Sequence, residues 1–210
     1  MTPTRLDMPE LEPADIILTH NTGLGAGLVQ LVTRSYWSHT LLVESVINNP
    51  ANIDYAVIEA IPRGLAFGTL NTHYKDTDIA VYRIRDDQIG IRSHVPERFL
   101  ELPKRQQFQE LVLLEAKKRG RYHYDHFVLY HIWKAVGTAG MLDLLNCLLH
   151  GLPLNIPHKA DEYVVCSELV QEAYEAAGSP LILPTKLLMP GNIARLRHTL
   201  LTQVYGKPRD

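Results

Sequence analysis

The sequence predicts an α+β fold in which a small antiparallel sheet, or a partial barrel, packs against helices. Short alternating or β-branched runs separated by turn residues occupy the first half of the chain, whereas apolar residues at helical spacing occupy the second. The chain has 210 residues, of which 46% are hydrophobic, enough for one domain with an ordinary core. Internal repeats and linkers are absent from the sequence, so we expect a single domain.

Four strands are predicted in the first half. Residues 15–19 form the apolar run of a buried strand, and residues 79–84 alternate along their length. Residues 38–44 and 55–60 are the other two strands, and Asn, Pro and Gly turn signals follow each of them. Because short connections join neighbouring strands, we expect antiparallel pairing.

Helices are predicted in the second half. Residues 106–118 carry apolar side chains near a period of 3.6, and residues 167–177 form an amphipathic helix that Gly178 ends. Residues 125–150 are apolar and rich in helix formers, and residues 190–200 suggest a last short helix. These helices would cover the sheet.

Charge and apolar content bear on partners and location. Lys and Arg total 21 and Asp and Glu total 23, a net charge of −2, so no cation excess exists to neutralise nucleic-acid phosphates. The first 13 residues lack the apolar stretch of a signal peptide, and charged side chains interrupt the longest apolar segment, 127–154. We therefore expect a cytoplasmic protein with no nucleic-acid partner. Export by a route without an N-terminal signal stays open, and membrane contact is the less favoured alternative.

Cys166 is the first candidate for chemistry. It stands between the β-branched pair Val164 and Val165 and the start of an amphipathic helix. Unpaired N–H groups and the helix dipole in a first turn favour negative charge, which lowers the pKa of a thiol and makes it a nucleophile. The alternative is a buried cysteine acting as a small apolar side chain. We favour that alternative for Cys147, which lies within an apolar helical stretch.

His39 and Glu59 are candidate partners of this thiol. They are 20 positions apart, a spacing that suits two neighbouring antiparallel strands joined by a loop. In the right register Glu59 would accept a hydrogen bond from the His39 ring and hold the imidazole in one orientation. The alternative for Glu59 is that it is a charged residue at a strand end. For two other candidates, Asp15 and Tyr124, the alternatives are a cap or turn residue for Asp15 and a packing aromatic for Tyr124.

Other motifs in the sequence give weaker evidence for a functional site. The glycines of 23–33 lack the Lys-Ser/Thr of a phosphate loop, so we expect no nucleotide site. His123 and His126 have a zinc-like spacing without an evident third ligand, so we expect no metal. Ser167 lacks the glycines of a serine nucleophile elbow.

Five segments together resemble a known family. They are ADIIL (14–18), WSHTLLV (37–43), VIEA (57–60), YHYD (122–125) and CSELV (166–170). In this order they are similar to the circularly permuted branch of the NlpC-type, papain-like cysteine hydrolases, in particular the YiiX-like group, relatives of the lecithin retinol acyltransferase fold. That family often has Gly-Asp at its first strand, where this chain has Ala14 and Asp15.

The resemblance implies roles for individual residues. Cys166 would be the nucleophile, His39 the general base and acid, and Glu59 the residue that orients the histidine. Tyr124 and Asp15 would have supporting roles, with an oxyanion contact most expected of Tyr124. The domains implied are an N-terminal extension over 1–13, one permuted papain-like hydrolase domain over 14–200 with an apolar helical insertion at about 125–160, and a C-terminal tail over 201–210.

The function that follows is a thiol hydrolase that cleaves an amide bond, such as that of a cell-wall-type peptide, through an acyl-enzyme and without a cofactor or metal. Its partner would be a peptide or an acyl-bearing small molecule; the sequence does not predict the oligomeric state. One alternative is a lipid-directed thiol acyltransferase or esterase, which the apolar segment 127–154 would serve. The other is a non-enzymatic binding module on the same fold.

Overall fold

Six strands form one antiparallel sheet within the part of the chain that the computed structural model describes, which is residues 8–23, 26–27, 30–31, 35–49, 52–61, 64–119, 123–124, 163–164, 166–181, 189–207 and 209. The strands are β1 (Ile16–His20), β2 (His39–Asn49), β3 (Asn52–Ile61), β4 (Gly64–Thr69), β5 (Asp78–Ile84) and β8 (Leu201–Tyr205), in the order β4-β3-β2-β1-β5-β8. A separate parallel pair joins β6 (His123–Tyr124) to β7 (Tyr163–Val164). The predicted α+β class with an antiparallel sheet is confirmed.

Three of the four described helices pack on one face of the sheet, and the first, one-turn helix packs on the other. The described helices are α1 (Leu70–His73), α2 (Lys104–Lys118), α3 (Cys166–Ala177) and α4 (Pro190–Arg195). The Phe108 ring of α2 meets the Tyr174 ring of α3 edge-on, with centroids 5.2 Å apart. The Tyr174 hydroxyl then donates to the Ala14 carbonyl at 2.6 Å, which fastens α3 to the chain just before β1.

The core has two parts, one on each face of the sheet. Ile16 and Leu18 point towards α2 and α3, whereas Ile17 points to the other face, as the two-residue period of a strand requires. That second face also buries Leu11, from the predicted N-terminal extension, and Tyr74. The central strands are thus buried on both sides, which explains their apolar sequences.

The four predicted strands all exist, and the other two strands of the six-stranded sheet were not predicted, nor was the separate β6–β7 pair. β4 reads GLAFGT, and glycine is depleted in strands, so its sequence gave no strand signal. Residues 201–210, expected to be a tail, begin with β8, which pairs with β5 at the sheet edge. Beyond β8, the Arg209 carbonyl accepts a hydrogen bond from the Trp37 indole at 2.9 Å, close to the start of β2.

Two backbone positions explain features of the sequence. Gly178 follows α3 with φ of +109°, a conformation that glycine tolerates, in agreement with the predicted helix end. Ala14 has φ of 66°, in the left-handed region that glycine adopts with less strain than alanine.

Several predictions fall on residues outside the described ranges. They are the helical insertion at about 125–160, with Cys147, and most of the segment 23–33. Across the described residues, no helix has both the length and the apolar composition that crossing a bilayer would require.

Candidate active site

His39 and Glu59 are brought together by the pairing of β2 with β3. Glu59 lies directly opposite Leu41, so it shares a face with His39, which lies two residues before Leu41 in β2. At this diagonal position a long carboxylate side chain reaches the ring, and the His39 Nε2–H donates to Glu59 Oε2 at 2.7 Å. A slip of one residue in this register would turn Glu59 to the opposite face.

Cys166 meets the same histidine from the other side. It is the first residue of α3, and its sulfur is hydrogen-bonded to the His39 ring. Because Glu59 occupies Nε2, the ring nitrogen that faces Cys166 is Nδ1. The backbone N–H groups of Thr40 and Ser167 also donate to the Cys166 sulfur. The three side chains therefore form a chain from sulfur to imidazole to carboxylate.

The charges of Cys166, His39 and Glu59 stabilise one another away from water. Burial by itself lowers the pKa of His39, but the neighbouring Cys166 thiolate and then Glu59 raise it from 6.5 to about 10. Burial raises the pKa of Cys166, but the His39 cation and the N–H groups of Thr40 and Ser167 outweigh burial and lower it below its ordinary value. The geometry therefore favours the thiolate and imidazolium pair over the neutral thiol and imidazole.

Tyr74 joins this group, although the sequence did not predict it. Its hydroxyl donates to Glu59 Oε2 at 2.6 Å, so one carboxylate oxygen accepts from both His39 and Tyr74. Tyr74 directly follows α1, which begins where the unpredicted strand β4 ends. Recognising the β3–β4 hairpin in the sequence would have been needed to place Tyr74 near Glu59.

Asp15 lies at the other end of β1 from this group. Its carboxylate receives two hydrogen bonds from the Arg83 guanidinium, at 2.8 and 2.7 Å, and one from the Glu12 backbone N–H at 2.8 Å. Thr19 is the residue of β1 that pairs with His39. Four residues at a strand rise of about 3.3 Å separate Asp15 from Thr19, or ~13 Å. The structure thus makes Asp15 a buried ion-pair partner at a distance from Cys166.

Tyr124 lies in β6, and its side chain is outside what the structure describes. Its predicted supporting role therefore stays a prediction. The backbone pairing of Tyr124 with Val164 in β7 does bring the segment before α3 next to β6.

The site's donor set does not fit a metal ion. His39 stands between Cys166 and Glu59 and uses a different ring nitrogen for each, so the three groups do not converge on one point. Across the described residues, no group of three or more His, Cys, Asp or Glu side chains is placed to hold a metal.

Comparisons with known proteins support the fold. No protein-family model matches the chain, and no curated protein matches it. Among solved structures, the chain is similar to the crystal structure of the metalloprotein yiiX from Escherichia coli O157:H7, with a TM-score of 0.52 and 16% identity. The similarity covers 93% of this chain and 97% of that chain. The predicted likeness to the YiiX-like group is therefore supported at the level of the fold.

Proposed function

We propose that this protein is a thiol hydrolase that cleaves an amide bond through a covalent acyl-enzyme. The observation that carries the proposal is that hydrogen bonds join Cys166, at the start of α3, to His39 and His39 to Glu59. A thiolate nucleophile, a histidine within hydrogen-bond reach of it and a carboxylate that orients the histidine are the parts such a reaction needs.

The reaction follows from these positions. The Cys166 thiolate attacks the carbonyl carbon, a C–S bond forms, and the carbonyl oxygen becomes an oxyanion. The backbone N–H of Cys166, in the first turn of α3, belongs to the helix end whose N–H groups lack intrahelical partners and favour negative charge. His39 gives its Nδ1 proton to the leaving nitrogen, and the C–N bond breaks. Water then attacks the thioester while His39 takes up its proton, which releases the acid and restores the thiolate.

Glu59 has an orienting role in this scheme. Its hydrogen bond with Nε2 fixes the ring so that Nδ1 faces the sulfur, and its charge stabilises the imidazolium that protonates the leaving group. Glu59 itself exchanges no proton with the substrate.

A permuted papain-like arrangement is part of the proposal. The histidine strand precedes the cysteine helix in the chain, which is the order expected of the permuted NlpC-type branch. We also propose a cytoplasmic protein that needs no cofactor and no nucleic acid.

The test is turnover of a panel of peptide amides, with matched fatty-acyl esters beside them, by the wild type and two variants. Cys166→Ala should abolish turnover and the acyl-enzyme mass adduct, while the melting temperature stays close to wild type. Cys147→Ala is the matched control and should retain both. Turnover retained by Cys166→Ala would overturn the proposal. Turnover of esters alone would favour the lipid-directed enzyme predicted as the alternative.

A further inference from the structure

The carboxylate that orients His39 is itself held by a second group. Glu59 is buried, and its Oε2 accepts hydrogen bonds from His39 Nε2 at 2.7 Å and from the Tyr74 hydroxyl at 2.6 Å. Both bonds converge on one oxygen, so the Tyr74 bond limits rotation of the carboxylate away from the imidazole. Hydrogen bonds to an ionised acceptor are roughly twice as strong as neutral ones.

Tyr74 is fixed in place by its surroundings. It ends the short helix α1, where its backbone N–H donates to the Leu70 carbonyl at 3.0 Å and its carbonyl accepts from Thr77 N–H at 3.2 Å. Its ring belongs to the second core together with Leu41 and Val57, the strand residues beside His39 and Glu59. The hydroxyl therefore approaches Glu59 from a rigid base.

The phenol remains a donor throughout the working pH range. Burial, the hydrogen bond to Glu59 and the nearby Glu59 and Cys166 charges all raise the pKa of Tyr74 far above its ordinary value. A neutral phenol next to a carboxylate donates a hydrogen bond to the anion. These groups come from β3, α1 and α3, and His39 of β2 completes the set.

We propose that Tyr74 is a positioning residue that holds Glu59 against His39 and so extends the Cys166, His39 and Glu59 arrangement to four members. This inference rests on the proposed function, because the arrangement that it completes is the catalytic one. Tyr74 touches neither the sulfur nor the substrate in this account; it acts through the carboxylate.

The test compares two matched substitutions. Tyr74→Phe removes the hydroxyl and keeps the ring. Tyr174→Phe removes another buried hydroxyl with a 2.6 Å bond, to the Ala14 carbonyl, at a position two turns further along α3 from Cys166. The readout is the pH dependence of Cys166 alkylation by iodoacetamide, followed by peptide mass spectrometry, because it needs no substrate.

Loss of the Tyr74 dipole leaves the buried negative charge of Glu59 and Cys166 less compensated, so the group binds a proton more tightly. In Tyr74→Phe we expect the apparent pKa of Cys166 to rise by about 0.5 to 1 unit, which lowers the alkylation rate by about 3- to 10-fold at any pH below the wild-type pKa. Tyr174→Phe should leave both unchanged. In a Glu59→Gln background, Tyr74→Phe should have little further effect, since the two residues act as one unit.

The outcomes separate this inference from the proposed function. A wild-type Cys166 with the pKa of an ordinary thiol would contradict the proposed function itself. A low wild-type pKa that Tyr74→Phe does not change would overturn the role of Tyr74 alone. If Tyr74→Phe does not fold, 3-fluorotyrosine placed at position 74 keeps the shape and strengthens the donor; the Cys166 pKa should then fall, and no change would overturn the inference.

Discussion

Replacing Glu59 by Gln tests whether its charge sets the state of His39. The substitution keeps the shape of the side chain and an oxygen that can accept from Nε2, but it removes the negative charge. The His39 and Glu59 side chains are 13% and 9% exposed, so water screens their interaction little. Unit charges about 4 Å apart interact by ~4 kcal/mol at an effective dielectric constant of about 20.

The retained neutral hydrogen bond offsets part of that loss, which leaves about 3 kcal/mol, or a ~100-fold decrease in kcat/KM at neutral pH. The assay measures kcat/KM on the best amide of the panel and follows the His39 ring titration by NMR. In Glu59→Gln, the pKa of His39 should fall below the wild-type value of about 10, while Cys166, the larger cause of the raised pKa, still acts on it. Glu59→Asp, which keeps the charge on a shorter stem, should retain more activity than Glu59→Gln. A Glu59→Gln variant with wild-type kcat/KM and an unchanged His39 titration would refute this reasoning.

Three further outcomes concern pH and stability. Protonated His39 stabilises the fold fully below pH 6.5, and that contribution is lost as the pH rises through about 10. The Cys166 thiolate, whose pKa is lowered in the folded state, stabilises the fold fully above pH 9.0. That contribution is lost as the pH falls through the folded-state pKa of Cys166. From the folded pKa of Cys166, or from 6.5 where that pKa is lower, up to 9.0, unfolding moves a proton from His39 to Cys166 without net uptake, so the pair's contribution should be flat there and decline on both sides. Urea unfolding of wild type against the double variant His39→Gln, Cys166→Ser measures it, and a difference that slopes across this window would contradict the ion pair. Arg83→Met should cost about 3–5 kcal/mol, because it leaves Asp15 buried without its cationic partner, while the alkylation rate of Cys166 stays at the wild-type value; a changed rate would show that Asp15 acts on the site. Gly178→Ala should lower the free energy of unfolding by more than about 1 kcal/mol, since the residue has φ of +109° and an added Cβ would lie 2.7 Å from the Arg92 nitrogen; an unchanged melting temperature would contradict that strain.

The elements that the sequence predicts well are those whose pattern reports burial directly. Residues 16–18 are apolar at every position because β1 is covered on both faces, and α3 shows its amphipathic period up to Gly178. β4 was missed because its partner strand, rather than its glycine-containing sequence, holds it in the sheet. Local composition does not record that kind of support.

The candidate site divides in the same way. His39, Glu59 and Cys166 carry chemistry that is visible in the residue types, and the spacing of the first two fits paired strands. Which face Glu59 occupies depends on the register of β2 and β3, which the spacing alone does not determine. The sequence does not predict Tyr74 because the residue follows a one-turn helix that comes after an unpredicted strand. The sequence places Asp15 in the site, but the length of β1 separates it from His39.

The most direct test of the central claim is the ultraviolet absorbance of the thiolate, measured against pH as the difference between wild type and Cys166→Ala. The account predicts that Cys166 is already a thiolate at neutral pH and that its absorbance disappears only well below its ordinary pKa of 9.0. Thiolate absorbance that first appears near pH 9.0 would contradict the ion pair of Cys166 with His39, and with it the proposed hydrolase.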